Sequence, residues 1–199
     1  MLEIKRLDSI MMDIKYEVAE LSEVSFVSEF VNSIFGPNPK SIEIFSKWIN
    51  ESNYHVTTAK LDSKIIGVSS SYFNEHPTLE KYIHFGERAV EFLRDQKVGW
   101  FLTLAVSPEF RKHRIGWNLA KKHFNWLKNQ SCARIVGSSW ITGSSDNSEH
   151  MFIKAGFEKL GESHEFLRSQ LIQMGSTCSA CGKIECECLS VLYGKVIEN

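Results

Sequence analysis

The chain has 199 residues, a formal net charge of −1, and 43% hydrophobic against 24% charged residues. That is enough material for one well-formed core and too little to favour two full domains. The near-neutral balance gives no electrostatic case for a nucleic-acid or membrane partner, and no apolar run approaches the ~20 residues that span a bilayer.

The opening stretch, MLEIKRLDSIMMDIKYEV, scatters charge where a signal peptide needs a continuous apolar run, so a cytoplasmic location is expected. Ile14–Leu21 reads as a first strand. Ser22–Phe35 follows with helical spacing through Phe26, Phe30 and Ile34, and stops at Gly36-Pro37. Ser41–Glu51 is a second short helix with Ile44, Phe45, Trp48 and Ile49 on one side. Tyr54–Leu61 and Ile65–Tyr72 are strands joined through Asp62-Ser63-Lys64, a hairpin signal. Within Asn74–Gln96 the part from His84 to Leu93 has helical pattern and is expected over the sheet rather than in it.

Val98–Ser107 is the most strand-like segment, and Pro108 ends it. Gly116–Lys128 reads as a helix with Trp117, Ala120, Phe124 and Leu127 on one face and Lys121, Lys122 and Lys128 toward water. Ala133–Trp140 is another strand. Asp146 and Glu149 open a helix that ends at Gly156, and Leu189–Val196 is the last strand. A hairpin followed by strand, helix, strand, helix indicates an α/β domain with a mixed sheet.

The segment Leu104–Trp117, LAVSPEFRKHRIGW, carries the most chemistry. A strand enters a tight loop and a helix starts near Ile115-Gly116. Backbone N–H groups at a helix N-terminus lack intrahelical acceptors and converge on one spot, where the macrodipole favours an anion such as a pyrophosphate. Arg111, Lys112, His113 and Arg114 add positive charge there. On those residues alone, a basic surface loop capping a helix is the leading reading.

This segment resembles the acetyl-CoA loop of the GNAT N-acetyltransferases, in which a V-x-P-x-[FY]-R strand end leads into R/Q-x-x-G-x-G/A. Val106-Ser107-Pro108-Glu109-Phe110-Arg111 matches the first part, and the run to Gly116 matches the second except that Arg114 replaces the first glycine. Glycine at that place permits close approach or positive φ. An arginine there could take a compatible conformation and set its guanidinium on the phosphates.

The resemblance covers roughly residues 14–157, with Ala155-Gly156-Phe157 similar to the family's L-G-F ending. It implies a GNAT fold: a mixed, mostly antiparallel sheet flanked by helices, as one domain over 1–199. It also implies a central strand that splays from its neighbour, with Leu104, Ala105 and Val106 along the pantetheine arm. Arg111, Lys112, His113, Arg114, Ile115, Gly116 and Trp117 form the phosphate loop by the same likeness, and Asn147 matches a polar residue that touches pantetheine. The Val106 backbone N–H would polarise the thioester.

Acyl transfer to an amine needs a neutral nucleophile, donors for the oxyanion and a proton for the departing thiolate. The family's usual tyrosine acid corresponds to Phe152 and its strand glutamate to Trp100, so neither group is present. Glu75, His76, His84 and Glu91 are substitute bases if their irregular segment borders the cleft; a solvated surface role is the alternative for each. The catalytic residues are left unassigned.

Four of the five cysteines, Cys178, Cys181, Cys186 and Cys188, fall within eleven residues, too tight to close useful disulfide loops. C-x-x-C-G followed by C-x-C suits a tetrahedral structural zinc inserted at 175–189 before the last strand, with disulfides, free thiols or an iron–sulfur group as alternatives. Some bacterial GNAT proteins look similar here, which implies a knuckle beside the acceptor side of the cleft. Cys132 stands alone and reads as a small buried hydrophobe.

The expected function is therefore acetyl-CoA-dependent N-acetyltransfer to a small-molecule or peptide amine. A CoA-binding module without turnover and a zinc-stabilised interaction protein are the alternatives, and the resemblance leaves a homodimer open. The residues that choose the acceptor are expected in Phe73–Gln96 and Gly161–Gly175, where no motif is read.

Overall fold

The computed structural model describes residues 13–141 and 148–197. In chain order the elements are β1 (Lys15–Val18), α1 (Val24–Phe35), α2 (Ser41–Asn50), β2 (Tyr54–Leu61), β3 (Lys64–Asn74), α3 (Glu87–Leu93) and β4 (Val98–Val106). They continue as α4 (Ile115–Asn129), β5 (Arg134–Ile141), α5 (Glu149–Lys154), β6 (Glu158–Ser163), α6 (Glu165–Met174) and β7 (Leu189–Val196). Short 3-10 turns at Leu21–Glu23, Leu79–Phe85 and Pro108–Phe110 lie between them.

The seven strands form one sheet in the order β1-β2-β3-β4-β5-β7-β6. Every neighbouring pair is antiparallel except β4 and β5. A parallel pair needs a long crossover, and α4 supplies it. The β2–β3 hairpin turns on Asp62 and Ser63, both at positive φ (48° and 68°), the primed geometry that matches strand twist.

Two layers cover the sheet. Val27 and Phe45 bring α1 and α2 onto Val56 and Val68. Ile115 and Leu119 bring α4 onto Ala59 and Ile66. Ile66 and Val68, two apart in β3, face different layers because a register shift between Ala59 and Lys60 leaves Ile66 unpaired, a β-bulge. Leu119 and Leu127 are fully buried, each stabilising by roughly 2 kcal/mol through apolar area removed from water.

The inner face of α4 is Ile115, Leu119, Ala120, His123 and Leu127. Trp117 and Phe124, assigned to that face by spacing, are only half-buried. The segment before β4 does lie over the sheet: Tyr82, Phe85 and Leu93 pack on Trp100, Leu160 and Leu192. β6 and α6, which sequence patterning left unread, complete the far edge. No helix among the described residues is long and apolar enough to cross a membrane.

Candidate functional site

β4 and β5 pair only from Val98–Phe101 to Arg134–Gly137. Beyond Phe101, β4 stays paired to β3 but leaves β5, which turns fully to β7. The break coincides with a bulge: Thr103 pairs with Ser70 and Phe101 with Ser71, so Leu102 is extra and 40% exposed. The bulge bends β4 away and opens a fork whose β4 edge carries Leu104, Ala105 and Val106 with backbone groups unused by β5.

The fork leads straight to the start of α4. Pro108–Phe110 makes one 3-10 turn, and Ser107 N–H is tied to the Ile66 carbonyl at 2.9 Å. Arg111 Nε donates to the Val106 carbonyl at 3.3 Å, and His113 Nδ1 donates to the Arg111 carbonyl at 2.8 Å. Lys112 and Arg114 both have positive φ, 66° and 62°. Arg114 thus adopts the left-handed backbone a glycine would supply, and α4 begins at the next residue. The first return bond is Asn118 N–H to the Arg114 carbonyl at 2.9 Å, which leaves the Ile115, Gly116 and Trp117 N–H groups outside the ladder. Lys112, His113 and Arg114 are exposed around that terminus, so their charge faces the same solvent as the free N–H groups.

A cleft of about 700 Å³ opens on the fork. Its floor is β4 and β5; its sides are α1 and α2, the 3-10 turn with Lys81 and Tyr82, and α6. Phe152 lines it, buried, with Gly137 so close that a Cβ there would stand 2.5 Å from Phe152 Cζ. Trp100 also lines it, stacked on Tyr82 at 4.4 Å, and its indole N–H is buried without a partner. Burial, then the neighbouring Tyr54, pushes the Tyr72 phenol far up against a lowering bond from Tyr82, and burial, then Tyr72, pushes the Tyr82 phenol far up, so neither supplies a phenolate base at neutral pH.

The four substitute bases lie elsewhere. Glu75 is paired with Lys97 at 2.8 Å, and none of Glu75, His76, His84 and Glu91 lines the cleft. That region instead contributes Lys81 and Tyr82, because its 3-10 turn, not its ends, faces inward. Asn147 and Asp146 lie outside the described residues.

Between α6 and β7 the four cysteine sulfurs lie within 4.8 Å of one another. Cys178–Cys188 and Cys181–Cys186 are 3.8 and 3.7 Å apart. Four sulfurs about 2.3 Å from a central ion form a tetrahedron with edges of roughly 3.8 Å, so the set fits a zinc-sized ion. Cys181 N–H donates to Cys178 Sγ and Cys188 N–H to Cys186 Sγ, both at 3.3 Å, partners that suit thiolates. Gly182 at φ 71° makes the turn, with its N–H on the Cys178 carbonyl at 2.8 Å. Cys132 is buried in apolar surroundings, and that burial pushes its thiol up to about 11, which fits a packing residue.

The knuckle also forms one wall of the cleft, through Cys178, Ser179 and Ala180. It is joined to the α1–α2 loop: Ser176 Oγ donates to the Pro37 carbonyl at 2.7 Å and Lys40 Nζ to the Gln173 carbonyl at 3.1 Å. The sequence pointed to Gly161–Gly175 as a segment that shapes the acceptor side but showed no helix there. The available signals were Ser163, whose Oγ accepts from Glu165 and Phe166 N–H at 3.1 and 3.0 Å, and the stop at Gly175.

Sequence reasoning missed a histidine pair on the other side of the sheet. His123 is fully buried with Nδ1 2.9 Å from Ser71 Oγ, and the His55 ring is 5.1 Å away. Burial, then the His55 neighbour, pushes His123 well below the ordinary histidine value; burial and Lys122 lower His55.

Residues 18–157 match the family model described as the acetyltransferase (GNAT) family. Among solved structures, NAA60 of Arabidopsis thaliana in complex with acetyl-CoA superposes with a TM-score of 0.68 at 14% identity, covering 94% of this chain and 99% of that one. A GNAT-family acetyltransferase from Streptococcus pneumoniae gives 0.62 at 17% identity, covering 93% and 100%. The NatC complex bound to Gag peptide and CoA gives 0.63 at 14%, covering 94% and 100%. At these identities the likeness is one of fold. No curated protein sequence matches significantly.

Proposed function

Since this chain belongs to the GNAT acetyltransferase family, we propose that it transfers an acetyl group from acetyl-CoA to a primary amine of a small molecule or peptide. The observation that carries the reading is the fork: β4 leaves β5 at Phe101, and the opening runs to the N-terminus of a 15-residue helix ringed by basic side chains. In this reading Leu104, Ala105 and Val106 present backbone groups to the pantetheine arm. The N–H groups of Ile115, Gly116 and Trp117, with Arg111, Lys112, His113 and Arg114, hold the pyrophosphate. Asn147 stays a proposed pantetheine contact on family likeness alone.

The chain's own residues position the cosubstrate and keep water away from it. Phe152 and Trp100 wall the reaction site without moving protons, so the amine must arrive neutral or lose its proton to water. A thiol leaves tolerably near neutral pH, with an ordinary value of about 8.5. The same two residues favour one second reading, a CoA-binding module without turnover.

In the proposed assembly Cys178, Cys181, Cys186 and Cys188 hold one structural zinc. Four thiolates leave it no open position, so its part is to fix the wall formed by Cys178–Ala180. Calorimetric titration of acetyl-CoA tests the main reading: micromolar binding that weakens at least tenfold in Lys112→Ala/Arg114→Ala supports it. Binding unchanged in that variant refutes the phosphate loop, and binding without thiol release on any amine selects the second reading.

A further inference from the structure

We propose that the four-cysteine knuckle is an oxidation-sensitive latch on the wall of the cleft. Hydrogen peroxide converts its thiolates to the disulfides Cys181–Cys186 and Cys178–Cys188, and the wall loosens while the fork still holds acetyl-CoA. This rests on the acetyltransferase reading above and on zinc held by the four sulfurs.

The knuckle has little else to stand on. Residues 176–188 contain no helix or strand. The small core beneath them has Leu171, Cys178 and Cys186 as its buried members, so cysteines outnumber ordinary apolar residues in it. Such a loop buries too little apolar area to offset its own ordering entropy, and its shape depends on the sulfur cluster.

What the knuckle holds is the far side of the cleft. Ser176 Oγ donates to the Pro37 carbonyl at 2.7 Å, Lys40 Nζ to the Gln173 carbonyl at 3.1 Å and Asn38 Nδ2 to Met174 Sδ at 3.4 Å. A Cβ on Gly36 would stand 3.4 Å from Ser179 Cβ, so the α1–α2 loop backs directly onto the knuckle. Gly36, Asn38, Cys178 and Ser179 all line the cleft. The fork hangs on other elements: β4 pairs with β3, and the start of α4 packs on Ala59 and Ile66. Releasing the latch therefore reaches the wall and leaves the phosphate loop in place.

Access and spacing set the order of events. Cys181 is exposed, Cys188 half-buried, and Cys178 and Cys186 buried, so Cys181 meets a dissolved oxidant first. Its thiolate attacks one peroxide oxygen and the oxygen–oxygen bond breaks. Sulfur becomes a sulfenic acid, and the departing hydroxide takes up a proton to give water. Cys186 Sγ, 3.7 Å away, attacks that sulfur; the sulfur–sulfur bond forms and the second hydroxide leaves as water. Two electrons have then passed from two thiolates to one peroxide. A second peroxide takes two more from Cys178 and Cys188, which are 3.8 Å apart. Each pair must close to about 2.05 Å, which cannot happen without moving Cys178, the neighbour of Ser179. Zinc is held by thiolate and not by disulfide sulfur, so the knuckle gives up the ion.

The test treats the zinc-loaded full chain with hydrogen peroxide. Zinc release to a chromogenic chelator should accompany loss of the four knuckle thiols and reverse with dithiothreitol and added zinc. Trypsin cuts after Lys183, between Cys181 and Cys186, so the proposed bridges keep the two halves linked, whereas Cys178–Cys181 and Cys186–Cys188 bridges let them separate. Backbone hydrogen exchange across residues 36–40 should speed up at least tenfold on oxidation, with acetyl-CoA affinity by calorimetry within twofold of the reduced protein. Cys181→Ser should slow zinc release at least tenfold, and in wild type brief labelling with N-ethylmaleimide should fall on Cys181 first. Zinc retained under peroxide that oxidises free glutathione, separated halves, or unchanged exchange at 36–40 overturns this inference. So does release as fast in the variant, another first site of labelling, or acetyl-CoA affinity that falls with oxidation. Protein that binds no acetyl-CoA in either state overturns the acetyltransferase reading instead, and exchange at 36–40 still decides the latch.

Discussion

Replacing Arg114 by glycine separates what its backbone does from what its charge does. The residue sits at φ 62° and ψ 10°, a conformation that costs a side chain about 1 kcal/mol through Cβ crowding. Glycine removes that cost but adds roughly 0.4–1 kcal/mol of unfolded-chain entropy. The two offset, so Arg114→Gly should stay within about 4 °C of wild type in Tm for a chain of this length. Arg114→Ala keeps the crowding and should melt no higher than Arg114→Gly. The guanidinium is exposed, so its contact with phosphate is worth less than the ~1.5–3 kcal/mol of a protected charged hydrogen bond. Allowing about 1.4 kcal/mol, both variants lose roughly tenfold in acetyl-CoA affinity at low salt. Near 1 M salt, where screening acts over ~3 Å, the gap should narrow. Calorimetry at two salt concentrations and a melting curve read all of this. Affinity within twofold of wild type at low salt would refute the charge argument. A loss of more than 10 °C in Arg114→Gly would refute the backbone argument.

Other consequences follow from the same structure. A chelator strong enough to strip zinc should free four reactive thiols and lower Tm, and wild-type protein purified with zinc should carry one ion per chain by elemental analysis. His55 and His123 are held neutral in the fold with pKa values below the unfolded one, so their stability is fully present above about pH 6.5 and is lost as pH falls further. For fully buried His123 the slope is at most about 1.4 kcal/mol per pH unit, and urea midpoints between pH 7.5 and 5.5 should fall in wild type and fall less in His123→Phe. Gly161→Ala would place Cβ 1.9 Å from the Phe85 carbonyl oxygen, a backbone atom, and should cost more than 3 kcal/mol. Gly116→Ala meets nothing nearer than 3.6 Å and should leave stability within about 1 kcal/mol, as denaturant titration of the two will show.

Much of this was legible in the chain because the signals were local. The Asp62-Ser63 turn, Pro108 and the helix start after Arg114 each follow from one or two residues that leave the backbone little choice. Arg114 shows how far such reading reaches: the glycine-like position was visible, and the structure adds that arginine accepts the left-handed backbone. What escaped needed tertiary context. β6, sequence Glu-Lys-Leu-Gly-Glu-Ser, is an edge strand whose polar composition hides its pairing with β7. Helix α4 was located correctly but rotated, since His123 is buried by its bond to Ser71 and Trp117 is not drawn inward. The bulge at Leu102, which opens the fork, has no sequence mark; it exists because β4 must serve β3 and β5 at different angles. The lining of the cleft is assembled from stretches as far apart as Val31 and Leu192, so no window of sequence contains it.

Hydrogen–deuterium exchange with and without acetyl-CoA tests the central claim most directly, because it reads the β4–α4 backbone itself. The account predicts slowed exchange across Leu102–Val106 and Ile115–Trp117, with the β1–β2 edge unchanged. Protection confined to other segments, or none at saturating acetyl-CoA, would contradict it.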